Sequence, residues 1–297
     1  MEVSISESAQ RSGRAHSFWR CGGFTFEFSA RPVIMAILNV TPDSFSDGGE
    51  NLSLDDALRT AERLFEEGAD ILDIGGESTR PGAEKVSAEL EKARVAPVIS
   101  AICDRFEKPI SIDTFKSEVA LAALDAGASI INDISGFKFD ARMVTTAASS
   151  DAGVVLMHVA GLESSKMHEL LPDGTAIDEV SAGLRESLKG ALEAGIDKSR
   201  IALDMGIGFG KSQDQNLELL REIPELKRKT GDYPFLVGLS RKSFIGRITG
   251  EAEPRERFSG TIAANLASVL RGADILRVHD VAETIKAVKV FSEVLNL

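Results

Sequence analysis

The chain has 297 residues, of which 43% are hydrophobic and 27% are charged, a composition typical of a folded α/β protein rather than a disordered or fibrous one. Its 34 Lys and Arg residues against 46 Asp and Glu residues give a net charge of -12. This charge argues against nucleic acid and membrane surfaces as partners. An anionic ligand would therefore need a local basic cluster.

The two cysteines and the apolar runs of the sequence indicate the cellular compartment of the protein. Cys21 and Cys103 lie far apart and outside any CxxC motif, which indicates neither a disulfide framework nor a zinc site and favours a reducing cytoplasm. Residues 1–20 lack the apolar core expected of a signal peptide, and no later apolar run reaches the roughly 18 residues of a membrane span. We expect a flexible tail at residues 1–20 and a single domain at residues 21–297, since no linker divides the chain.

The first predicted element is a short hairpin strand. Phe24, Phe26 and Phe28 alternate with polar residues directly after Gly22 and Gly23, which predicts a strand with one apolar face. Such a strand, placed before a barrel, is expected to close the bottom of that barrel.

Eight short apolar runs follow, each succeeded by a polar or Gly-rich turn and an amphipathic stretch. Most runs are apolar on both faces, as in buried parallel strands. The runs are Val33 to Leu38, Ala69 to Ile74, Pro109 to Ile112, Ser129 to Ile131, Gly153 to Met157, Arg200 to Leu203, Phe235 to Gly238 and Ala273 to Val278.

The stretches between these runs carry helix signals. In the first, an apolar stripe from Leu54 to Phe65 lies between a candidate N-cap at Ser53 and a stop at Gly68. Eight strands with eight such crossovers predict an α/β fold of the closed (β/α)8 TIM-barrel type. An open doubly wound sheet is the alternative, but it would normally show a glycine fingerprint after the first strand, where the sequence has Asn39 to Pro42 instead.

Polar residues stand just past every predicted strand, where barrel enzymes build their active sites. Strand termination alone would explain one or two such positions, but not eight in eight. The residues are Asn39, Glu77, Ser78, Thr79, Arg80, Asp113, Asn132, Asp133, His158, Asp204, Ser240, Arg241, Lys242, Arg277, His279 and Asp280.

Two subsets of these residues indicate the chemistry of a ligand. One is a basic cluster suited to a phosphate or pyrophosphate, made of Arg80, Arg241, Lys242, Arg277 and His279. The other can pair with the N–H edges of a flat heterocycle and consists of Asp113, Asn132 and Asp204.

Two neighbouring features are interpreted as structural. We expect His158 to be a packed histidine at a strand end and Lys211 to be a solvated surface charge. The segment from Gly206 to Ser212 is not a nucleotide-binding P-loop, because Met205 stands where the first glycine of that motif is required.

Several of these segments resemble the dihydropteroate synthase family. Ile37 to Gly49 (ILNVTPDSFSDGG) and Asp70 to Gly82 (DILDIGGESTRPG) are similar to its two signatures. Matching segments follow in family order at Ser111 to Thr114, Asn132–Asp133, Gly238 to Ser243 and Arg277 to Asp280. The resemblance runs from about Pro32 to the C-terminus, with departures at Met205 and in the segment after His158, which lack expected prolines.

The resemblance implies site roles residue by residue. A pterin would be held by Asp113, Asn132, Met157, Asp204, Phe209, Gly238 and Lys242. Pyrophosphate would face Asn39, Arg80, Arg277 and His279, with Asn39 helping to place a Mg²⁺ ion. 4-Aminobenzoate would bind at the loops, against Phe45, Thr79, Arg80, Pro81 and Ser243. The expected catalytic residues are Asp113, Asp204, Lys242, Arg277, His279 and Arg80.

The resemblance also implies a reaction. A dihydropterin pyrophosphate would lose pyrophosphate and then be attacked by 4-aminobenzoate, in a homodimeric enzyme that sulfonamides inhibit. Two alternatives share the barrel: a pterin-binding methyltransferase module that serves a corrinoid partner, and a non-catalytic barrel that binds folates. The first would not need Thr41 to Gly49 or Ser240 to Ser243, and the second would be expected to lose the charged loop residues, which are all present.

Overall fold

The computed structural model describes residues 18–28, 31–41, 54–80, 82–172, 174, 176–231 and 233–295. The strands are β1 Phe18–Cys21, β2 Phe24–Glu27, β3 Val33–Asn39, β4 Ile71–Gly75, β5 Ile110–Asp113, β6 Ile130–Asp133, β7 Gly153–Met157, β8 Ile201–Asp204, β9 Phe235–Val237 and β10 Ile275–Val278. The helices are α1 Leu54–Glu66, α2 Ala88–Arg105, α3 Ser117–Asp125, α4 Met143–Ala148, α5 Ala176–Glu193, α6 Gln213–Arg221, α7 Ile223–Thr230, α8 Ser243–Thr249, α9 Phe258–Leu270 and α10 Val281–Leu295.

Strands β3 to β10 close into one parallel barrel, in which β10 pairs with both β3 and β9. The predicted (β/α)8 TIM barrel is therefore confirmed, and the open sheet is excluded. All eight predicted runs form barrel strands, with ends that shift by no more than two residues. Two helices, rather than one, connect β8 to β9 and β9 to β10.

The N-terminal hairpin closes one end of this barrel, as predicted. β1 and β2 pair antiparallel around the two-residue turn at Gly22 and Gly23. Trp19 is fully buried, and its indole nitrogen donates a hydrogen bond to the carbonyl oxygen of Arg200 at 2.9 Å. The predicted tail was wrong at its last three residues, because burial of Trp19 draws residues 18–20 into β1. Residues 1–17 lie outside the described ranges.

The barrel interior contains two layers with different chemistry. The lower layer packs against Trp19, Cys21 and Phe28, and Ser111 of β5, buried beside Ile130, is its polar member. Its apolar members are Val33, Met35, Ile71, Ile130, Val155, Ala202, Leu236 and Ile275. Alternate residues of a strand face the same side. The upper layer therefore consists of the residues two positions further along six of these strands: Asp73, Asn132, Met157, Asp204, Gly238 and Arg277.

The helices pack outside the strands around a second, larger apolar core. In α1, Ala57, Ala61 and Leu64 are buried against it, which confirms the predicted stripe, and Gly68 follows at φ 105°. The predicted N-cap Ser53 lies outside the described residues. Among the described helices, none combines the length and apolar character that a membrane crossing requires.

Candidate active site

A guanidinium in the upper layer lies between the buried carboxylate of Asp73 and the partly buried carboxylate of Asp113. Arg277 donates from Nε to Asp73 Oδ2 and from Nη2 to Asp113 Oδ2, each at 2.6 Å. The Asn132 side-chain amide donates to the same Asp73 oxygen at 3.0 Å. Strands β4, β5, β6 and β10 thus each contribute one side chain to a single polar network. Its geometry depends on closure of the barrel, because β10 must return beside β3 for Arg277 to reach Asp73.

Burial makes this network an unusual electrostatic environment. It raises the pKa of Asp113, an effect that Arg277 opposes and Asp73 reinforces. Burial also raises the pKa of Asp204, and here Lys242 opposes it. For Arg277, burial disfavours the charge, but the two carboxylates outweigh it and raise its pKa. A ligand that donates N–H groups to these carboxylates would relieve part of their desolvation cost.

Lys242 and Phe209 form the wall next to Asp204. The Asp204 Oδ1 atom accepts from the Gly206 backbone N–H at 2.7 Å. The Lys242 ammonium donates to the Ile207 carbonyl oxygen and lies 4.9 Å from the Phe209 ring centroid. Burial lowers the pKa of Lys242 to about 8, with Asp204 opposing that shift. The lysine charge is therefore held close to the buried carboxylate and the aromatic face.

The neighbouring wall is apolar, in contrast to the charged wall at Lys242 and Asp204. Met157 packs with Ile134 and Val159 in a small buried cluster, and Phe115 and Phe209 lie against it. Gly238 follows β9 beside Arg277 and has no side chain to fill the adjacent space. An apolar wall with hydrogen-bonding groups along one edge suits a flat heterocycle.

A positive region surrounds His279 at the end of β10. Its Nδ1 lies 2.9 Å from the Ser240 hydroxyl oxygen. Burial lowers the pKa of His279 to about 3, and Arg241, Arg277 and Arg80 lower it further. The ring is neutral at pH 7, and guanidiniums from β10 and from two loops act on it, with Asp280 opposing them. An anion bound here would reduce the repulsion among these guanidiniums and could accept a hydrogen bond from the imidazole.

Asn39 ends β3 at the same edge of the barrel. A side chain at Gly75 would lie 3.6 Å from the Asn39 Oδ1 atom and 3.7 Å from the Asp113 Cβ atom. Within the described ranges, no group of three Asp, Glu, His or Cys side chains could hold a metal. Asn39 fits a Mg²⁺ site as the one protein ligand, because its amide oxygen is a hard donor and phosphate and water oxygens would complete the coordination shell.

The loop after β4 carries Thr79 and Arg80, and an ion triad holds its two ends together. The Lys116 ammonium donates to Glu77 Oε2 at 2.6 Å, to Glu91 Oε2 at 2.5 Å and to the Val86 carbonyl at 2.6 Å. Glu77 also accepts from the Val86 N–H at 3.1 Å. Because Lys116 follows β5, the triad ties this loop to the strand that ends in Asp113.

Comparison with known proteins identifies the chain. Residues 35–279 match the family described as pterin binding enzyme. The chain is 46% identical to the dihydropteroate synthase of Synechocystis over 269 residues, 91% of this chain and 92% of that one. This chain belongs to the dihydropteroate synthase family.

Solved structures of the family agree with this assignment. The dihydropteroate synthase of Xanthomonas albilineans with 4-aminobenzoic acid superposes with a TM-score of 0.88, at 43% identity over 95% of this chain and 99% of that one. The Yersinia pestis dihydropteroate synthase in a sulfonamide drug complex gives a TM-score of 0.86, at 39% identity over 94% of this chain and 100% of that one.

Within this dihydropteroate synthase fold, most predicted site residues meet at one end of the barrel. The upper layer contains Asn132, Met157, Asp204, Gly238 and Arg277, and the network described above adds Asp113. Near them lie Asn39, Phe209, Lys242 and His279. Thr79 and Arg80 are on the more open loop after β4, and Ser243 is the first residue of α8; Arg80 and Ser243 are exposed. Phe45, Pro81 and most of the loop Thr41 to Gly49 lie outside the described residues.

Two predicted positions differ from expectation. Arg241 does not contribute a free charge to the basic cluster, because its Nε donates to Asp280 Oδ2 at 3.1 Å in an ion pair. Lys211 is not a solvated surface charge: it is 5% exposed and donates to the Phe209 carbonyl at 2.9 Å. Burial lowers its pKa to about 7, opposed by Asp204. His158 is packed as predicted, at 5% exposure.

Sequence reasoning gave no role to Asp73, which is fully buried at the centre of the network. A signal was present, since β4 reads Ile-Leu-Asp-Ile-Gly and is buried at every position. An ionisable residue inside such a strand needs a partner. Asp133, by contrast, accepts from the Ser135 hydroxyl and N–H groups and from the Phe137 N–H, so it stabilises a turn.

Proposed function

We propose that this enzyme condenses 6-hydroxymethyl-7,8-dihydropterin pyrophosphate with 4-aminobenzoate, releasing pyrophosphate and 7,8-dihydropteroate. The observation that carries this proposal is the arrangement at one barrel end: buried carboxylates beside an apolar wall, next to a region rich in guanidinium groups. A pterin has the N–H edges and flat faces that such a slot recognises, and its diphosphate matches the positive region.

The pterin would occupy the slot between the polar network and the apolar wall. Asp113, Asn132 and Asp204 would pair with its ring nitrogens and amino group, while Met157 and Phe209 cover its faces. Lys242 would donate to its carbonyl edge, and Gly238 leaves room beside the ring. Buried, hydrogen-bonded contacts of this kind discriminate strongly against ligands that lack the matching groups.

The diphosphate would lie against Asn39, Arg80, Arg277 and His279. Asn39 offers the amide oxygen for a Mg²⁺ ion, which when bound would neutralise part of the diphosphate charge. Arg277 serves two purposes in this proposal, because it also holds Asp73 and Asp113. The neutral His279 would donate one hydrogen bond to a phosphate oxygen.

The reaction needs no protein nucleophile. The bond between the exocyclic methylene carbon and the diphosphate oxygen breaks first, and its electron pair leaves with pyrophosphate. The negative charges of Asp113 and Asp204 favour the cationic pterin, and Arg80, Arg277 and His279 favour the departing anion. The amine nitrogen of 4-aminobenzoate then attacks the methylene carbon and loses a proton. Each of these residues, with Lys242, would contribute about 10- to 1000-fold to the rate.

4-Aminobenzoate would bind at the more open end, against Phe45, Thr79, Arg80, Pro81 and Ser243. Ser243 is the first residue of α8, so its backbone N–H has no acceptor within that helix. A sulfonamide imitates the arylamine and would compete for this place. We expect a synthase-deficient host that carries this gene to stop growing under high sulfonamide; normal growth would contradict the assignment of this subsite.

Two features of the whole molecule complete the proposal. We infer a homodimer that forms through the later helices, which carry exposed apolar side chains at Ile248, Leu270, Val290 and Val294. Both cysteines are free thiols, in keeping with a reducing cytoplasm as the site of action.

The test is pyrophosphate release by the purified protein with the dihydropterin pyrophosphate and Mg²⁺, with and without 4-aminobenzoate. Release that depends on the arylamine and yields dihydropteroate supports the proposal. Lys242→Ala should lower this rate about 100-fold or more. Tight pterin binding without turnover would instead favour a methyltransferase module or a non-catalytic barrel.

A further inference from the structure

His168 connects three loops at the catalytic end of the barrel. It lies between β7 and α5, and its Nε2 is 2.9 Å from the Thr79 carbonyl oxygen in the loop after β4. Since a carbonyl oxygen only accepts, Nε2 must carry a hydrogen. The imidazole also stacks on the Phe209 ring after β8, with 5.5 Å between centroids and 14° between planes. The His168 side chain therefore contacts both the loop after β4 and the loop after β8.

The segment that carries His168 is itself fixed on both sides. The Leu171 N–H donates to the Gly210 carbonyl at 2.7 Å, and Lys85 Nζ donates to Ser164 Oγ at 3.3 Å. A side chain at Gly161 would lie 2.2 Å from the Lys166 carbonyl oxygen, so the segment folds tightly on itself. His168 is thus presented from a compact bridge between the loops after β4 and β8.

The neighbours of His168 link the two substrate subsites. Phe209 contacts both the His168 ring and the Lys242 ammonium. Thr79 and Arg80 line a cavity of about 150 Å³ together with Phe115 and His168. A displacement of the Thr79 backbone would therefore change the position of Arg80 relative to the pterin wall.

We propose that His168 is a positioning residue that holds the loop of Thr79 and Arg80 against Phe209, and so sets the affinity for the arylamine substrate. This inference rests on the proposed function for its kinetic consequence. Its structural part, the fixed position of residues 78–80 and 82–86, does not need turnover.

Steady-state kinetics with both substrates varied test the kinetic part. His168→Ala removes the hydrogen bond and the ring, and we expect the KM for 4-aminobenzoate to rise about tenfold, the ratio that corresponds to about 1.4 kcal/mol. The KM for the pterin substrate should stay within about twofold, since the upper layer is untouched, and kcat should fall by a smaller factor than the KM rises, through the displaced Arg80. His168→Gln keeps a donor and His168→Phe keeps a ring, so each should restore part of the affinity.

Hydrogen exchange of the substrate-free protein tests the structural part. His168→Ala should speed exchange in residues 78–86, whereas Glu169→Ala, a change of the exposed neighbour, should leave both exchange and kinetics unchanged. Unchanged exchange overturns the proposal, as does a rise in both KM values with a parallel fall in kcat across all three variants. If His168→Ala shows the exchange effect but the wild-type protein has no synthase turnover, the proposed function fails and the bridge stands.

Discussion

The two layers of the barrel interior differ although the same strands build both. On β4, Ile71 belongs to the lower layer and Asp73 to the upper, and on β10 Ile275 is followed by Arg277. The lower layer is sealed by Trp19 from the hairpin, and apart from the Ser111 hydroxyl its described side chains are apolar. The upper layer holds a shared guanidinium between buried carboxylates.

This difference separates stability from chemistry along a single strand. The lower layer gains free energy from burial of apolar surface and is insensitive to pH. Removing water from the charges of the upper layer costs free energy, which the contacts of Arg277 with Asp73 and Asp113 offset only in part. A ligand can offset more of that cost. Substitutions in the two layers should therefore have separable effects on unfolding and on turnover.

The largest effect is expected from substitution of Arg277, which holds the buried carboxylates together and faces the proposed diphosphate site. Arg277→Met leaves Asp73 and Asp113 without their cation, so kcat/KM should fall about 100- to 1000-fold. The free energy of unfolding should fall by about 3 kcal/mol, because one partner of a buried ion pair is lost. Pyrophosphate release and urea denaturation measure the two quantities.

The matched control is Arg247→Met, which removes an exposed arginine from α8. It should change neither quantity by more than about 0.5 kcal/mol. Turnover by Arg277→Met within twofold of wild type would show that the network is structural only.

Trp19→Ala should produce the reverse pattern. It removes the largest side chain of the hairpin seal, so the free energy of unfolding should fall by about 3 to 5 kcal/mol. The kcat/KM of the folded fraction, measured well below the melting temperature, should stay within about twofold. Phe18→Ala, at a neighbouring position that is 42% exposed, is the control and should be nearly neutral. A loss of kcat/KM at constant folded fraction would show that the two ends are coupled.

The pH dependence of turnover gives a smaller but sharper test. Burial lowers the pKa of Lys242 to about 8, opposed by Asp204, so the charged form is lost as pH rises through that value. If the ammonium is required, kcat/KM should decline above about pH 8 by about tenfold per unit.

Two variants assign this decline to one side chain. Lys242→Arg keeps its charge at all accessible pH values, so the decline should move beyond about pH 10 even if the rate is lower. Lys211→Met should leave it in place, although burial also lowers the pKa of Lys211, to about 7. A decline that disappears with Lys211 instead would transfer the role to that residue.

How much the sequence predicts depends on the range of the interaction. The strands, the hairpin and the α1 stripe follow from local apolar periodicity, and they were predicted within two residues at the barrel strand ends. The positions of Asp113, Asn132 and Asp204 at strand ends followed from the same pattern. The partners of Arg241 and Lys211 did not, because a solvated charge and a paired one have the same local sequence.

The sequence by itself therefore determined the barrel, the edge at which polar residues gather and, through its motifs, the family. Only the tertiary structure decided which charges meet. Arg277 and Asp73 are 204 residues apart and become neighbours because the last strand closes beside the first. The contact of His168 with Thr79 likewise spans 89 residues. Local propensity carries no information on such pairs, because their energy exists only after the barrel has closed and water has been excluded.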